Sequence, residues 1–179
     1  MENKKVVTFG EIMLRLSPPG NYRFVQTSSF DAIYGGGEAN VAVSLANFGL
    51  NSHFVSKVPV HEIGQCAINV LRRYGVNTES VKRGGARLGI YYCENGASQR
   101  PSKVVYDRTG SSLAEVEHGE FDWQHIFQGA SWFHFTGITP ALSDKAAAVT
   151  LEALKVARAM DIKVSADLNF RKKLWCRDK

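Results

Sequence analysis

Three consecutive glycines, Gly35 to Gly37, stand directly before a segment with the pattern of a helix. Glycine lets a ligand approach bare backbone, and the first turn of a helix offers free N–H groups. The run fits neither common nucleotide motif, because Asn40 stands where G-x-G-x-x-G needs its last glycine and no Gly-Lys-Ser/Thr follows. The glycines therefore predict contact with a ligand, with a flexible strand-to-helix turn as the alternative.

A second group of polar residues, Asp167, Asn169 and Arg171, is spaced by two at the end of a predicted strand. An extended backbone would point all three side chains the same way. Open α/β sheets bind ligands at this end of their strands, and an arginine there can grip a carboxylate or phosphate with two hydrogen bonds. The spacing predicts an anion site, with ordinary solvated polarity as the alternative.

Two tyrosines and an arginine, Tyr91, Tyr106 and Arg108, fall on a predicted hairpin. Tyrosine offers a flat apolar face and a hydroxyl group, which together suit a sugar-like ligand. Packing of the two rings across the hairpin explains the same spacing equally well. The pattern alone does not separate these interpretations.

The frame that must position these residues alternates strands with helices. Such alternation implies right-handed crossovers and a mostly parallel sheet. Strands are predicted at 4–9, 53–58, 131–135 and 162–168, and helices at about 38–48, 62–74 and 143–160. The core-facing stripes of the first two helices are predicted at Val41, Leu45 and Phe48, and at Ile63, Ala67, Val70 and Tyr74.

Two segments, 14–34 and 88–107, interrupt that alternation because they carry strand patterns without a helical stripe. The second contains an apparent hairpin across 95–98. We expect both segments to pair in one small sheet, separate from the main one, that acts as a lid or a subunit contact. The chain also stops soon after a strand, with neither a closing helix nor an edge strand, so residues 1–179 are interpreted as the N-terminal part of a single domain.

Composition excludes several functional classes for this chain of 179 residues. Its 22 Lys and Arg exceed its 17 Asp and Glu to give a net charge of +5, but the basic residues are scattered, which argues against a nucleic-acid partner. The sequence has no membrane-spanning apolar run and no signal peptide, so a cytoplasmic location is expected. The cysteines lack metal-ligand spacing, which predicts reduced, buried thiols and no metal site; they are Cys66, Cys93 and Cys176.

Taken together, the motifs resemble those of the ribokinase-like (PfkB) carbohydrate kinases, and among them the 2-keto-3-deoxygluconate kinases. The resemblance extends from Val6 to about Trp175. The segments that carry it are Thr8-Phe9-Gly10-Glu11, Tyr34-Gly35-Gly36-Gly37-Glu38-Ala39-Asn40-Val41-Ala42, Arg100 to Arg108, Phe135-Thr136-Gly137-Ile138-Thr139-Pro140-Ala141-Leu142 and Asp167-Leu168-Asn169-Phe170-Arg171.

The resemblance implies a ribokinase-like α/β fold, a mostly parallel sheet flanked by helices with a small β-sheet lid, whose C-terminal half is absent. It implies ATP-dependent phosphorylation of a small-molecule sugar acid, assisted by Mg²⁺. Gly35 and Gly36 would approach the acceptor hydroxyls through backbone. Family lids also form dimer contacts, which predicts an apolar face and a homo-oligomer through the lid. By the same resemblance, Tyr91, Tyr106 and Arg108 on the lid would hold the sugar acid. Arg171 would meet the carboxylate of the acceptor near the transferred phosphate, and Asn169 would lie beside that phosphate. The apolar face of the lid would include Leu88, Ile90 and Tyr92.

Two departures from the family pattern limit these expectations. After the second strand of the main sheet, where the family usually has a glycine and an acidic residue, this chain reads Val58-Pro59-Val60-His61-Glu62-Ile63-Gly64. This departure leaves a kinase for another sugar, such as fructose or ribose, as an alternative. The family's catalytic aspartate lies in a Gly-Ala-Gly-Asp motif, and no Gly-x-Gly-Asp occurs here. No catalytic residue is therefore expected in this chain. Asp167, the only carboxylate expected in the cleft, is interpreted as structural, and the chain alone is predicted to be inactive. A non-catalytic sugar-acid-binding or interaction fragment is the other alternative.

Overall fold

The structure, a computed structural model, describes residues 4–172 and 174–175. Within them, nine strands and five α-helices follow one another along the chain. The strands are β1 Lys5–Phe9, β2 Met13–Ser17, β3 Asp31–Gly35, β4 Asn51–Val58, β5 Val81–Arg83, β6 Ile90–Glu94, β7 Lys103–Asp107, β8 Ala130–Thr136 and β9 Lys163–Asp167; the helices are α1 Gly37–Asn47, α2 Glu62–Arg73, α3 Trp123–Phe127, α4 Ile138–Ala141 and α5 Asp144–Ala159.

The central sheet has five strands in the order β5-β4-β1-β8-β9, and every pairing in it is parallel. Parallel neighbours require crossover connections, which α1, α2 and α5 supply. Because all five strands run in the same direction, their carboxyl ends meet at one edge of the sheet. The predicted α/β class and mostly parallel sheet are confirmed.

One face of this sheet carries the larger apolar cluster. Phe9 and Phe133, both fully buried, pack against the aromatic rings of α3. The ring of Trp123 lies edge-on to Phe9 with centroids 5.2 Å apart, and Phe127 lies edge-on to Phe133 at 5.1 Å. Helix α5 closes this face through small residues such as Ala153. Close aromatic and alanine packing fixes α3 and α5 against the sheet.

The opposite face packs against α1 and α2, but only partly through the predicted stripes. Helix α1 buries Ala39 and Ala42, and Phe48 is 82% exposed. Helix α2 likewise buries Ala67, Ile68 and Leu71 together with Gly64, whereas Ile63 and Tyr74 are exposed. The small residues allow both helices to lie close to the sheet, so close approach rather than side-chain size determines which side is buried. The predicted stripes were wrong for Phe48, Ile63 and Tyr74, which are exposed. Ala67 is buried as predicted, and Val41, Leu45 and Val70 are partly buried.

The small sheet has four strands in the order β3-β2-β6-β7, drawn from the two predicted lid segments. Strands β6 and β7 pair antiparallel, which confirms the predicted hairpin, and β2 runs parallel to β6. Ile90 and Tyr92 alternate onto one face, where Phe24 and Phe30 meet the Tyr92 ring edge-on. Leu88 does not belong to that face, because it precedes β6 and is buried in the cluster beneath α1 and α2.

Two further sequence-based expectations concern the surface. Cys66 is exposed on α2 and Cys93 is partly buried in β6, so the prediction of buried thiols was wrong for Cys66; Cys176 lies outside the described residues. Across residues 4–172 and 174–175, no helix is both long and apolar enough to cross a bilayer.

Candidate functional site

A cleft of about 510 Å³ separates the small sheet from the carboxyl ends of the central strands. Its lining combines residues of β3, β6 and β7 with residues that follow β1, β8 and β9. The structure brings together in this cleft the residues expected to bind the ligand: Gly35, Gly36, Tyr91, Tyr106, Arg108, Asn169 and Arg171. What they bind there stays a prediction.

The glycine run joins β3 to α1 at the edge of the cleft. Gly36 has extended backbone, and its N–H donates to Asn40 Oδ1 at 3.4 Å. A side chain at position 36 would overlap the backbone carbonyl oxygen of Glu11. Packing between two backbone segments therefore requires glycine here, whether or not a ligand approaches. At Gly35 the added atom would meet only the Asn40 side chain, 3.1 Å away.

The first turn of α1 contains a buried acidic residue that the sequence analysis did not select. Glu38 Oε1 accepts hydrogen bonds from the Thr136 N–H at 3.0 Å, the Thr136 hydroxyl at 2.8 Å and the Thr139 hydroxyl at 2.7 Å. Gly10 leaves room for this carboxylate, because a side chain at position 10 would overlap it. The contacts fix the start of α1 to the end of β8. A negative charge in the first turn also interacts favourably with the helix dipole.

A second overlooked carboxylate, Glu11, also lines the cleft and forms an ion pair with Arg108. The Arg108 Nη2 donates to Glu11 Oε2, and the side chains are only 14% and 6% exposed, respectively. Burial raises the pKa of Glu11, and the positive charge of Arg108 opposes that rise. The Glu11 carboxylate therefore holds the Arg108 guanidinium in place at the border of the cleft.

Tyr91 and Tyr106 are direct cross-strand partners on β6 and β7. Their ring centroids lie 5.9 Å apart with the ring planes at 32°. Tyr106 is 53% exposed, and burial raises the pKa of the Tyr91 hydroxyl. The two interpretations of the sequence thus coexist, because the rings pack on each other and also line the cleft.

The end of β9 departs from the predicted geometry. Asp167 Oδ1 accepts a hydrogen bond from the Asn169 N–H at 3.0 Å, and the backbone turns at Asn169 with φ of +40°. The strand stops at Asp167, so Asp167, Asn169 and Arg171 do not share one direction by extended alternation. Asn169 and Arg171 line the cleft, joined by Lys172, whereas Asp167 does not and makes the local contact expected of a structural residue. The carboxylates of the lining are Glu11 and Glu38, so Asp167 was wrongly placed there.

The lining suits a polyhydroxylated anion. The exposed side chains of Arg171 and Lys172 supply positive charge, the tyrosine rings supply apolar faces, and the first turn of α1 supplies backbone donors. The two lining carboxylates are already engaged by Arg108 and by threonines. Among the described residues no three His, Cys, Asp or Glu side chains cluster as metal ligands.

Comparison with known proteins finds carbohydrate kinases. A model of the pfkB family of carbohydrate kinases matches residues 3–179. The chain is 54% identical to 2-dehydro-3-deoxygluconokinase of Thermotoga maritima, whose crystal structure superposes with a TM-score of 0.95 over 98% of this chain and 54% of that one. It is 37% identical over 171 residues to 2-dehydro-3-deoxygalactonokinase of Haloferax volcanii, covering 96% of this chain and 54% of the relative.

A fructokinase of Xylella fastidiosa with bound ATP is 25% identical, with a TM-score of 0.82 over 99% of this chain and 55% of that one. Relatives of this chain therefore bind ATP. The chain spans about half the length of the curated relatives it matches. With the family match over nearly every residue and the shared architecture, the chain belongs to the pfkB family of carbohydrate kinases.

Proposed function

We propose that this chain is the acceptor-binding part of an ATP-dependent kinase that phosphorylates a sugar acid, with 2-keto-3-deoxygluconate as the leading substrate. The observation that carries the proposal is the shared cleft, in which Arg108, Arg171 and Lys172 border the same space as a tyrosine pair. Identity of 54% to the Thermotoga enzyme supports this choice of substrate.

Each group in the cleft has a role suited to such a substrate. Gly35 and Gly36 expose backbone to the acceptor hydroxyls, and the Tyr91 and Tyr106 rings cover the apolar face of the carbon chain. Arg108 donates hydrogen bonds to the sugar acid, and Arg171 pairs with its carboxylate. Asn169 lies beside Arg171, near the phosphate to be transferred. Phosphoryl transfer depends chiefly on this kind of positioning and on charge neutralisation.

ATP supplies the phosphoryl group and Mg²⁺ would neutralise its charge, but the described residues hold neither a metal cluster nor an unengaged carboxylate in the cleft lining. We therefore derive no transfer step through them. We predict that the chain of 179 residues binds the sugar acid without turning it over. A cytoplasmic location, where ATP is abundant, is part of the proposal.

Homo-oligomer formation through the small sheet is also proposed. The face opposite the cleft tyrosines carries Ile90 and Tyr92, and Phe30 and Val105 beside them are exposed. A second copy would cover this apolar surface. Sedimentation of the wild type and of Val105→Glu tests it: the variant is expected to be monomeric at concentrations where the wild type dimerises, and a monomeric wild type would contradict the idea.

Calorimetric titration with 2-keto-3-deoxygluconate, and with D-fructose as a neutral competitor, tests the substrate. We expect the acid to bind more tightly, and Arg171→Ala to weaken its binding by about 1.5–3 kcal/mol, roughly 10- to 150-fold, because a charged hydrogen-bonding partner is lost. Arg158→Ala, which removes an arginine from α5, is the matched control and should leave binding unchanged.

Three outcomes would contradict parts of the proposal. Equal or tighter fructose binding would favour the alternative of a kinase for another sugar. An unchanged affinity in Arg171→Ala would remove this arginine from the site. ATP-dependent turnover of the sugar acid by the chain alone would overturn the prediction that it is inactive and would place a base among residues interpreted here as structural.

A further inference from the structure

The ion pair between Glu11 and Arg108 joins two parts of the molecule that are far apart in the sequence. Glu11 belongs to the short connection between β1 of the central sheet and β2 of the small sheet, and Arg108 directly follows β7. Of the described residues, Glu11 is the side chain to which the Arg108 guanidinium donates. Both residues also line the cleft. The contact therefore sets where this arginine lies relative to a ligand.

The pair is hard to explain as a source of stability. Removing two charges from water costs several kcal/mol for each ion, and a buried pair often recovers no more than that. This pair is also incompletely satisfied, because Arg108 Nε is buried without a hydrogen-bond partner, although Ser111 hydrogen-bonds to the Glu11 carboxylate. An apolar pair of the same volume would serve packing as well or better.

Gly89, just before β6, makes space for the pair. A side chain at this position would lie 2.7 Å from Glu11 Oε1 and 3.2 Å from Arg108 Cβ. The backbone therefore accommodates both charged groups at close range. The other lining carboxylate, Glu38, serves as a comparison: its hydrogen bonds go to Thr136 and Thr139 and not to an arginine.

We propose that Glu11 is a positioning residue for ligand binding, which holds the Arg108 guanidinium against the cleft wall and balances its charge. Held in this way, Arg108 acts as a directional hydrogen-bond donor, and the net positive charge that attracts an anion comes from Arg171 and Lys172. The inference rests on the proposed function, because it assumes that Arg108 binds the sugar acid. It adds that Glu11, which need not touch the substrate, determines how well Arg108 can do so.

Nitrogen-15 relaxation of the Arg108 Nε–H group in the ligand-free chain tests the positioning directly. The wild type should give an ordered, slowly exchanging signal, because Nε is buried. Glu11→Leu keeps similar bulk but removes the acceptor, so that signal should become mobile or be lost through exchange. Glu11→Gln keeps an acceptor without the charge and should restore part of the order.

Titration with 2-keto-3-deoxygluconate supplies the second readout. Glu11→Leu is expected to lower affinity about 10- to 100-fold, the range typical when a supporting group behind a ligand contact is removed, and Glu11→Gln should fall between it and the wild type. The control is Glu120→Leu, which breaks the partly buried Lys57–Glu120 pair outside the cleft. It should lower stability without changing either readout.

The outcomes separate this inference from the proposed function. A wild type that binds no sugar acid refutes the proposed function, and the relaxation data still decide whether Glu11 orders Arg108. Arg108 that stays ordered in Glu11→Leu, or sugar-acid affinity that stays unchanged in it, would overturn the inference. If Glu11→Leu does not fold, Glu11→Gln and Gly89→Ala, which crowds the pair and keeps its charges, provide the same measurements.

Discussion

The central sheet and the small sheet are stabilised by different interactions. In the central sheet Val7, Phe9 and Phe133 have no solvent exposure, and apolar clusters lie on both faces of the inner strands, although the edge strand β9 is largely exposed. In the small sheet every residue of β7 is exposed, and part of one face lines the cleft. Parallel sheets depend on burial of both faces, whereas antiparallel strands tolerate solvent on one side. The cleft thus lies between a densely packed sheet and a lightly packed one.

Polar contacts compensate for the missing core of the small sheet. Glu94 accepts a hydrogen bond from the Phe24 N–H at 3.0 Å and pairs with Arg100 at 3.4 Å. Arg87 pairs with Asp107 at 2.9 Å at the end of β7. Elements with few buried apolar contacts open at lower free energy than the core. The difference between the sheets should therefore appear in local stability as well as in packing.

The largest contrast is expected from truncating the central core. Phe133→Ala should lower the free energy of unfolding by about 3–5 kcal/mol, because it leaves a cavity among rings that cannot collapse. Urea denaturation followed by circular dichroism measures this loss. The small-sheet counterpart, Val105→Ala, should cost less than about 1 kcal/mol at its exposed position. Equal losses would show that the two sheets do not differ as described.

Loss of a buried charge in the small sheet should have a smaller and local effect. Glu94→Gln should cost about 1–3 kcal/mol, because an amide group cannot accept from both the Phe24 N–H and Arg100. Hydrogen exchange should speed up at Phe24 and in β6 while amides of β1 and β8 keep their protection. Equal loss of protection in the central strands would mean that the sheets unfold as one unit.

The connection between the sheets should show a dependence on pH. Burial raises the pKa of Glu11 above its usual 4.5. At pH values between the usual and the raised pKa, the folded chain keeps a proton on Glu11 that the unfolded chain has released. The wild type should therefore lose stability relative to Glu11→Gln as pH rises from about 4.5, by up to about 1.4 kcal/mol per pH unit. Urea titrations of both proteins from pH 4.5 to 7 measure the difference; a constant difference contradicts it.

For Asp107 at the end of β7 in the small sheet, stability changes with pH in the opposite direction. Hydrogen bonding to Arg87 lowers the pKa of Asp107, so its contribution is present above the usual value of 3.8 and is lost as pH falls through the lowered value. Asp107 is exposed, and its effect should be weaker than that of Glu11.

The smallest effect is expected on the exposed strand β7. Val105→Thr keeps the branched side chain suited to a strand and removes no buried contact. We expect a change within about 0.5 kcal/mol in thermal unfolding of the monomeric protein. A larger loss would indicate that Val105 is covered by another surface in solution, in agreement with the proposed dimer.

Strand positions and site membership could be predicted from the sequence, whereas contact partners could not. Apolar runs such as 131–135 identify strands, although only Phe133 of that run is buried, and parallel strands bring their ends together. The buried sides of α1 and α2 could not be found in this way, because Phe48 and Tyr74 have the most apolar surface and yet lie outside the contact. Hydrophobic periodicity depends on the types of the side chains and carries no information on how closely a helix approaches the sheet.

Glu11 and Glu38 were missed for a related reason. Each owes its place to partners that are about a hundred residues away, Arg108 for one and Thr136 for the other, and no local pattern encodes such pairing. Both carboxylates lie in segments that carry the family resemblance, but the glycines that make room for them, Gly89 and Gly10, are recognisable as such only once the fold is known.

The contact between Gly36 and the carbonyl oxygen of Glu11 also constrains how the sequence can evolve. The obstructing atom belongs to the main chain, so no substitution at position 11 can relieve a side chain at position 36. Under the proposed function, a lineage that changes its acceptor sugar would be free to replace Tyr91 or Tyr106, but it must keep glycine at 36 as long as the connection from β1 to β2 keeps its course. Persistence of this glycine among descendants would therefore record shared ancestry of the backbone and carry no information about substrate.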